Sequence, residues 1–502
     1  MDYIHNRTYK SLISIALSLS FLTSCQRIPE EKLSCDLPSW QTVVDNENVS
    51  STLDISLNVD GSDSMLGYVT IPNNNYMKTL NLLANTIIGT DTVNVEYKRI
   101  GDPQPLTRNQ FLRDAVTQAF YDSNGSTYKP VSSPIQSAIT PPISGKNKMT
   151  IIVTDLEGDD GGKVSEVLAK YYLNKKPENQ DYTVGIWGVK SQFQGNIYNP
   201  NTGKAKFTYD TEGKKIEEYR PFYVLFIGKR ENIVDYFNEL KKLDPQIDVQ
   251  DEMFVLPTAN SLIKPLSLGA IAERKINSEL PATNQLQRVF ALEDNRVAVS
   301  LKNSNSEPYE LLEIVDETEP QPTIYYRISF PEQNQDGYSL SIDTRHLKTQ
   351  TKVFTFNKES SNVESSQSQS EAETSSEPPK LPQEKTLFQL NPNSTLQQAL
   401  TIDNLAIDDR RKSLDFTTTI DLNSLPNPQI YLFEVDLLLD DLSSLDWWND
   451  WSFNNQASNL DGSKTQNLAI FINKLKSLKL QTLQNENQQI VIGRLCFGVN
   501  KN

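Results

Sequence analysis

The chain has 502 residues, 37% hydrophobic and 22% charged, which is enough length and apolar content for two or three domains with proper cores. A formal charge of −16 argues against a nucleic-acid partner, which calls for a basic face. Only two histidines occur, His5 and His346, which argues against a His-based triad or a histidine-rich zinc site.

The chain opens with Arg7 and Lys10, followed by SLISIALSLSFLTS, an apolar run with small residues at its end. A basic start before a run too short for a comfortable membrane span is a secretory signal pattern. The run ends in Leu22-Thr23-Ser24-Cys25, which resembles the lipobox of bacterial lipoproteins. That resemblance implies a signal peptide over residues 1–24, a lipidated Cys25 as the first mature residue, and a tether over 25–47. Acyl chains on Cys25 would hold the protein on an envelope membrane through ~0.8 kcal/mol per buried methylene. Gln26 after the cysteine, rather than Asp, implies the outer membrane where that sorting system operates. The remaining cysteines are Cys35 and Cys496. In an oxidising compartment they could form one disulfide, the alternative being two unpaired thiols with Cys496 buried in a strand.

STLDISLNVD predicts a strand, apolar near its end as in a strand buried on both faces. NYMKTLNLLANTIIG has Met77, Leu80, Leu83 and Ile87 at helical spacing, with a glycine at the stop. VNVEYKRIG predicts a strand, and LTRNQFLRDAVTQAF a helix opened by Thr107. KMTIIVTD is the most apolar strand; a helix follows at GKVSEVLAKYYLNK, then strands at YTVGIWGVKS and RPFYVLFIGK and a helix at ENIVDYFNELKKL. Strands alternating with helices predict an α/β domain over 48–252, a mostly parallel sheet with helices on both faces. One insertion, Gln192 to Tyr219, breaks the rhythm; its NPNTGKAKFTY suggests a hairpin turn and a strand.

From 253 the texture becomes β-rich, with RVFALEDNRVAVSLKN, YELLEIV, TIYYRISF and TKVFTFNK in a first part ending at 358. Residues 359–385 open with ESSNVESSQSQSEAETSSEPP, acidic and Ser-rich, which cannot bury enough surface to order itself and predicts a disordered linker or loop. The second β-rich part, 386–502, holds SLDFTTTIDLN and IYLFEVDLLL, a helix at TQNLAIFINKLKSLKL and a last strand at QQIVIGRLCFGV. One interrupted β-rich domain and two small ones both fit this pattern. Trp447, Trp448 and Trp451 cluster in LDWWNDWSF, either closing a small core or presenting stacking surface.

Asp60 falls at the carboxyl end of the first strand, where ligands of parallel α/β sheets collect, and Ser62 and Ser64 follow at alternating positions. Such hard oxygen donors suit Mg²⁺ or Mn²⁺. A haloacid-dehalogenase-type phosphatase would need a second Asp where Ser62 stands, so phosphoryl chemistry on Asp60 lacks its proton donor.

Asp60-Gly61-Ser62-Asp63-Ser64, with Met65 and Gly67 after it, resembles the D-x-S-x-S signature of von Willebrand factor A domains. SSPIQSAI resembles that family's second loop, making Ser133 the matching hydroxyl, and TIIVTDLEGDD matches the strand ending in a second carboxylate, Asp155. The resemblance spans roughly residues 50 to 245 and implies a Rossmann-like fold with a metal-ion-dependent adhesion site. Asp60, Ser62, Ser64, Ser133 and Asp155 would hold Mg²⁺ or Mn²⁺, and a protein partner would complete the shell with a carboxylate. The implied function is metal-dependent protein–protein interaction by an envelope lipoprotein, not catalysis; the alternative is a scaffold that needs no metal. Where the family often has Gly after the second aspartate, this chain has Leu156-Glu157-Gly158-Asp159-Asp160. These extra carboxylates either make the mouth strongly negative or point to solvent and cap the next helix.

Overall fold

The computed structural model describes residues 52–86, 93–122 except 103, 128–129, 131, 134–157, 160–176, 179–199, 203–245, 252–258, 261, 271–276, 299–302, 310–314, 321, 323–329, 344–356, 388–408, 413–442, 447–453, 461–484 and 487–501. The expected signal peptide and tether, with Cys25 and Cys35, lie outside these residues, as do Ser133 and the expected linker at 359–385.

Among the described residues, nine strands form the first part: β1 (Leu53–Asp60), β2 (Val93–Ile100), β3 (Pro105–Leu106), β4 (Asn147–Thr154), β5 (Tyr182–Ser191), β6 (Gln194–Tyr198), β7 (Ala205–Asp210), β8 (Arg220–Lys229) and β9 (Met253–Val255). Between them lie α1 (Asn75–Asn85), α2 (Arg108–Asp114), α3 (Asp160–Tyr171) and α4 (Arg230–Leu243). Thr107 caps α2 through a capping box with Gln110, satisfying donors that the first turn leaves free. Seven strands make one sheet in the order β3-β2-β1-β4-β8-β5-β9, while β6 and β7 pair as a separate hairpin.

This sheet overturns the expected mostly parallel, Rossmann-like α/β architecture. β1 is parallel to β2 and to β4, but β2–β3, β4–β8, β5–β8 and β5–β9 are all antiparallel. Strand also outweighs helix among the described residues. The cause is the segment 192–219, which had looked like an insertion into an alternating series. Its described residues contain the β6–β7 hairpin and no long helix, so β8 returns directly against β5 as the second arm of a long antiparallel pair. Without a crossover helix the chain cannot bring that strand back in parallel.

The apolar residues of this sheet face two cores. Leu53, Ile55, Leu57 and Val59 of β1 pack with Leu80 and Leu83 of α1, Phe111 of α2, and Phe237 and Leu240 of α4. The opposite face, with Ile152, Val184, Ile186 and Leu225, packs with Val164 and Leu168 of α3 in a cluster continuous with the C-terminal half. There, a four-stranded sheet runs Ile271–Ile276, Thr323–Ser329, Ser413–Ile420, Leu400–Asp408. A six-stranded sheet runs Val299–Lys302, Glu310–Ile314, Ile490–Lys501, Gln429–Leu439, Leu347–Phe356, Phe388–Asn391. Both sheets combine strands from before and after 359–385, and β9, just past residue 252, belongs to the first sheet.

The tryptophan cluster sits where the two halves meet. Trp448 is fully buried with its ring 4.9 Å from that of Phe254 in β9, and Trp451 is also buried. Cys496 is buried in the six-stranded sheet and disulfide-bonded, its partner lying outside the described residues. The last helix, α5 (Leu468–Leu483), contributes Phe471, Ile472 and Leu475 to the shared core.

Lys479 of α5 is buried in this junction, its Nζ donating to the Tyr182 carbonyl of β5 at 2.9 Å. Burial lowers its pKa from 10.5 to about 7, against an upward pull from Asp181. Between those values the unfolded chain binds the extra proton, so the lysine makes stability rise with pH across that window and costs most at or below its lower end. Lys479→Met is therefore expected to raise the thermal midpoint of the full chain at pH 7. The gap between variant and wild type should shrink towards pH 10 in scanning calorimetry; a gap independent of pH would contradict a neutral buried amine.

Candidate metal centre

β1 and β4 lie side by side in parallel register, with Val59 opposite Val153, so both end at the same edge of the sheet. That register brings Asp60, the last residue of β1, beside Thr154 and Asp155. Both carboxylates are nearly sealed from solvent, Asp60 at 3% and Asp155 at 1% exposure. The chain leaves Asp60 through Gly61 into a 3-10 helix over Asp63–Val69. Ser62 donates its backbone N–H and its Oγ–H to Asp60 Oδ1, at 2.9 and 2.7 Å. The hydroxyls of Ser62 and Ser64 are 3.0 Å apart, and Thr154 Oγ1 donates to Asp60 Oδ2 at 3.0 Å. Hydrogen bonds thus join Asp60, Ser62 and Ser64, and Asp155 lies just past the end of the neighbouring strand; Ser133 lies outside the described residues.

Two buried arginines shape this mouth, and neither was singled out in the sequence. Arg99, near the end of β2, donates from Nη2 to the Gly61 carbonyl at 2.9 Å, from Nε to Phe120 at 2.8 Å and from Nη1 to Lys129 at 2.9 Å. It fills the space behind Gly61 so closely that an added Cβ there would come within 2.5 Å of Arg99 Nε. Arg220 opens β8, and because β8 runs antiparallel to β4, its first residue arrives at the edge where β4 ends. Its Nη2 lies 2.8 Å from Glu157 Oε1 and 3.9 Å from Asp155 Oδ2.

The loop after β4 is turned by Leu156, which takes a left-handed φ of 52°, an uncommon conformation for a side-chain-bearing residue. The Thr154 hydroxyl accepts the Leu156 N–H at 3.1 Å, and Asp155 Oδ1 accepts the Glu157 N–H at 3.0 Å. The sequence offered Glu157 either as a bare charge at the mouth or as a solvent-facing cap; its side chain is instead buried and paired with Arg220. Gly158 and Asp159 lie outside the described residues.

Burial, reinforced by repulsion from Glu157, pushes the Asp155 carboxyl well above the usual carboxylate range; Arg220 opposes the shift and Asp60 adds to it. For Arg220, burial pulls the pKa down, but Glu157, Tyr68 and Asp155 outweigh it and the guanidinium stays charged. Asp155 Oδ2, Glu157 Oε2 and Arg220 Nε are buried without a hydrogen-bond partner among the described residues.

These orphaned atoms answer whether the residues fit a divalent cation. A sealed carboxylate oxygen lacking a donor, beside a second carboxylate and two hydroxyls, is a hard oxygen set of the kind Mg²⁺ and Mn²⁺ take. Asp60, Ser62, Ser64 and Asp155 fit that role. Among the described residues no group of three or more His, Cys, Asp or Glu side chains is placed to hold a metal, so any cation here would depend on the hydroxyls. Family models, curated proteins and solved structures provide no match to this chain.

The signal for Arg220 was a charge immediately before an apolar strand, a position ordinarily solvated, and for Arg99 a charge at the end of an edge-like one. Gly61→Ala should destabilise the protein by about 1–3 kcal/mol, because the pinned Arg99 cannot yield without breaking its carbonyl contacts. Urea denaturation of the full chain measures this; a loss within error would show that Arg99 has room to move.

Proposed function

We propose that this chain binds a divalent cation, Mg²⁺ or Mn²⁺, through Asp60, Ser62, Ser64 and Asp155, and uses it to engage another protein. One observation carries the reading: two buried carboxylates and a hydrogen-bonded pair of serine hydroxyls lie at the ends of neighbouring strands, with Asp155 Oδ2 lacking a hydrogen-bond donor among the described residues. When bound, the cation supplies a positive centre to which an acidic side chain of the partner can coordinate. The chain's own part is to orient oxygens. Ser62 and Thr154 hold the two oxygens of Asp60 in place, and Arg99 fixes the backbone of the loop from behind. The resemblance to von Willebrand factor A domains supports the same residues and adds Ser133 as a further hydroxyl. We further propose attachment to a cell-envelope membrane, the outer one, through a lipidated Cys25, and a role in binding rather than turnover.

The reading as a scaffold that needs no metal is favoured by Arg220, which already brings a positive charge to Asp155 and Glu157. Calorimetric titration of the full chain with Mg²⁺ and Mn²⁺ separates the two. Saturable single-site binding is expected, abolished by Asp60→Ala and weakened about tenfold by Ser62→Ala, as for loss of one charge-assisted ligand. Wild-type protein that takes up neither ion would put the scaffold first.

A further inference from the structure

We propose that Arg220 is the resident cation of this site: it sets the affinity for a divalent metal and couples metal occupancy to the docking of residues 461–467. The inference rests on the proposed metal binding at Asp60 and Asp155. Its structural basis is independent of the serine signature.

Arg220 is 1% exposed and touches both sides of a junction. Through Nη2 it meets Glu157 and approaches Asp155; through Nη1 it donates to the Gly462 carbonyl at 3.1 Å. Its guanidinium lies over the Phe193 ring, and Phe193 in turn packs on Gly67, in the 3-10 helix that carries Ser64. One planar cation therefore joins the carboxylates of the site to a segment more than two hundred residues away.

Backbone pairing ties the end of that segment to Ser452–Phe453, with the Thr465 N–H donating to the Trp451 carbonyl and the Asn467 N–H to the Phe453 carbonyl, both at 2.8 Å. Side chains of β5, β7 and β8 hold the rest. Tyr223 Oη and Thr465 Oγ1 are 3.0 Å apart, Lys206 Nζ donates to Gln466 Oε1 at 2.9 Å, and Lys190 Nζ reaches the Ser463 carbonyl at 3.4 Å. The Tyr209 ring lies against Gly462 so closely that a Cβ there would come within 2.2 Å. The segment ends at Asn467, in a left-handed conformation with φ 61°, where α5 begins.

A divalent cation held by Asp60 and Asp155 and the guanidinium near Asp155 are like charges drawn to one carboxylate in a buried setting. Each weakens the other's hold. Metal binding is therefore expected to loosen Arg220, and with it the Gly462 contact. By linkage, loosening the segment must strengthen metal binding by the same factor.

The test uses the full chain and Mn²⁺ alone, with calorimetry and hydrogen exchange. Exchange of the amides at 461–467 should accelerate on adding Mn²⁺. Tyr223→Phe removes the hydroxyl contact to Thr465 without touching the carboxylates, and should tighten Mn²⁺ binding by about fivefold, the size of one ordinary hydrogen bond. Arg220→Gln should tighten it further. Should that variant fail to fold, Tyr223→Phe still decides. Mn²⁺ binding with unchanged exchange at 461–467 and unchanged affinity in Tyr223→Phe would overturn the coupling and leave the metal site standing. If neither wild type nor Arg220→Gln takes up Mn²⁺, the metal reading and this proposal fall together.

Discussion

Two carboxylates buried side by side are the constraint around which this site is arranged. Asp60 and Asp155 end neighbouring parallel strands, and burying an uncompensated charge costs far more than an ordinary hydrogen bond returns. Asp60 is compensated locally, by the Ser62 amide and hydroxyl on one oxygen and by Thr154 on the other. Asp155 is not. Its Oδ1 accepts from the Glu157 N–H, while its Oδ2 has no hydrogen-bond donor among the described residues and lies 3.9 Å from the Arg220 guanidinium. The asymmetry makes Asp155 the responsive member of the pair.

The direction of one strand decides where that guanidinium is. Arg220 begins β8, and a strand parallel to β4 would begin at the opposite edge, away from the mouth. Running antiparallel, β8 starts beside Asp155 and carries Pro221, whose carbonyl accepts from the buried Tyr68 hydroxyl at 2.5 Å. The departure from a parallel sheet is thus what equips the site with its own positive charge. The β6–β7 hairpin belongs to the same departure: Gly195 abuts Gly67 beside the serine loop, and Tyr209 abuts Gly462.

The C-terminal half is joined to the first sheet rather than appended to it. One apolar cluster includes Ile152 and Leu225 of that sheet, Val164 of α3, Phe471 of α5 and Phe433 of the six-stranded sheet. Phe254 of β9 packs on Trp448, and Lys479 reaches Tyr182 across the same junction. A change at the mouth therefore has a packed route into the β-rich half, through Arg220 and Gly462 and through α3, which follows Glu157 closely and packs on α5.

Local pattern was enough to locate β1, α1, α2, β4, α3 and α5, because apolar spacing and caps such as Thr107 act within a few residues. It also placed Asp60 and Asp155 at strand ends, with Ser62 and Ser64 in the loop that follows the first, since the alternation that buries a strand also says where it stops. It could not say which way β8 runs. Strand direction depends on whether the preceding connection crosses the sheet, and the 192–219 segment reads equally as an insertion or as a return. Nor could it show that Arg99, Glu157 and Arg220 are buried, because a charge beside an apolar run looks the same in sequence whether water or a distant carbonyl receives it. The chemistry of the oxygens was written locally; the placement of the charges that balance them came only from contacts between residues far apart in the chain.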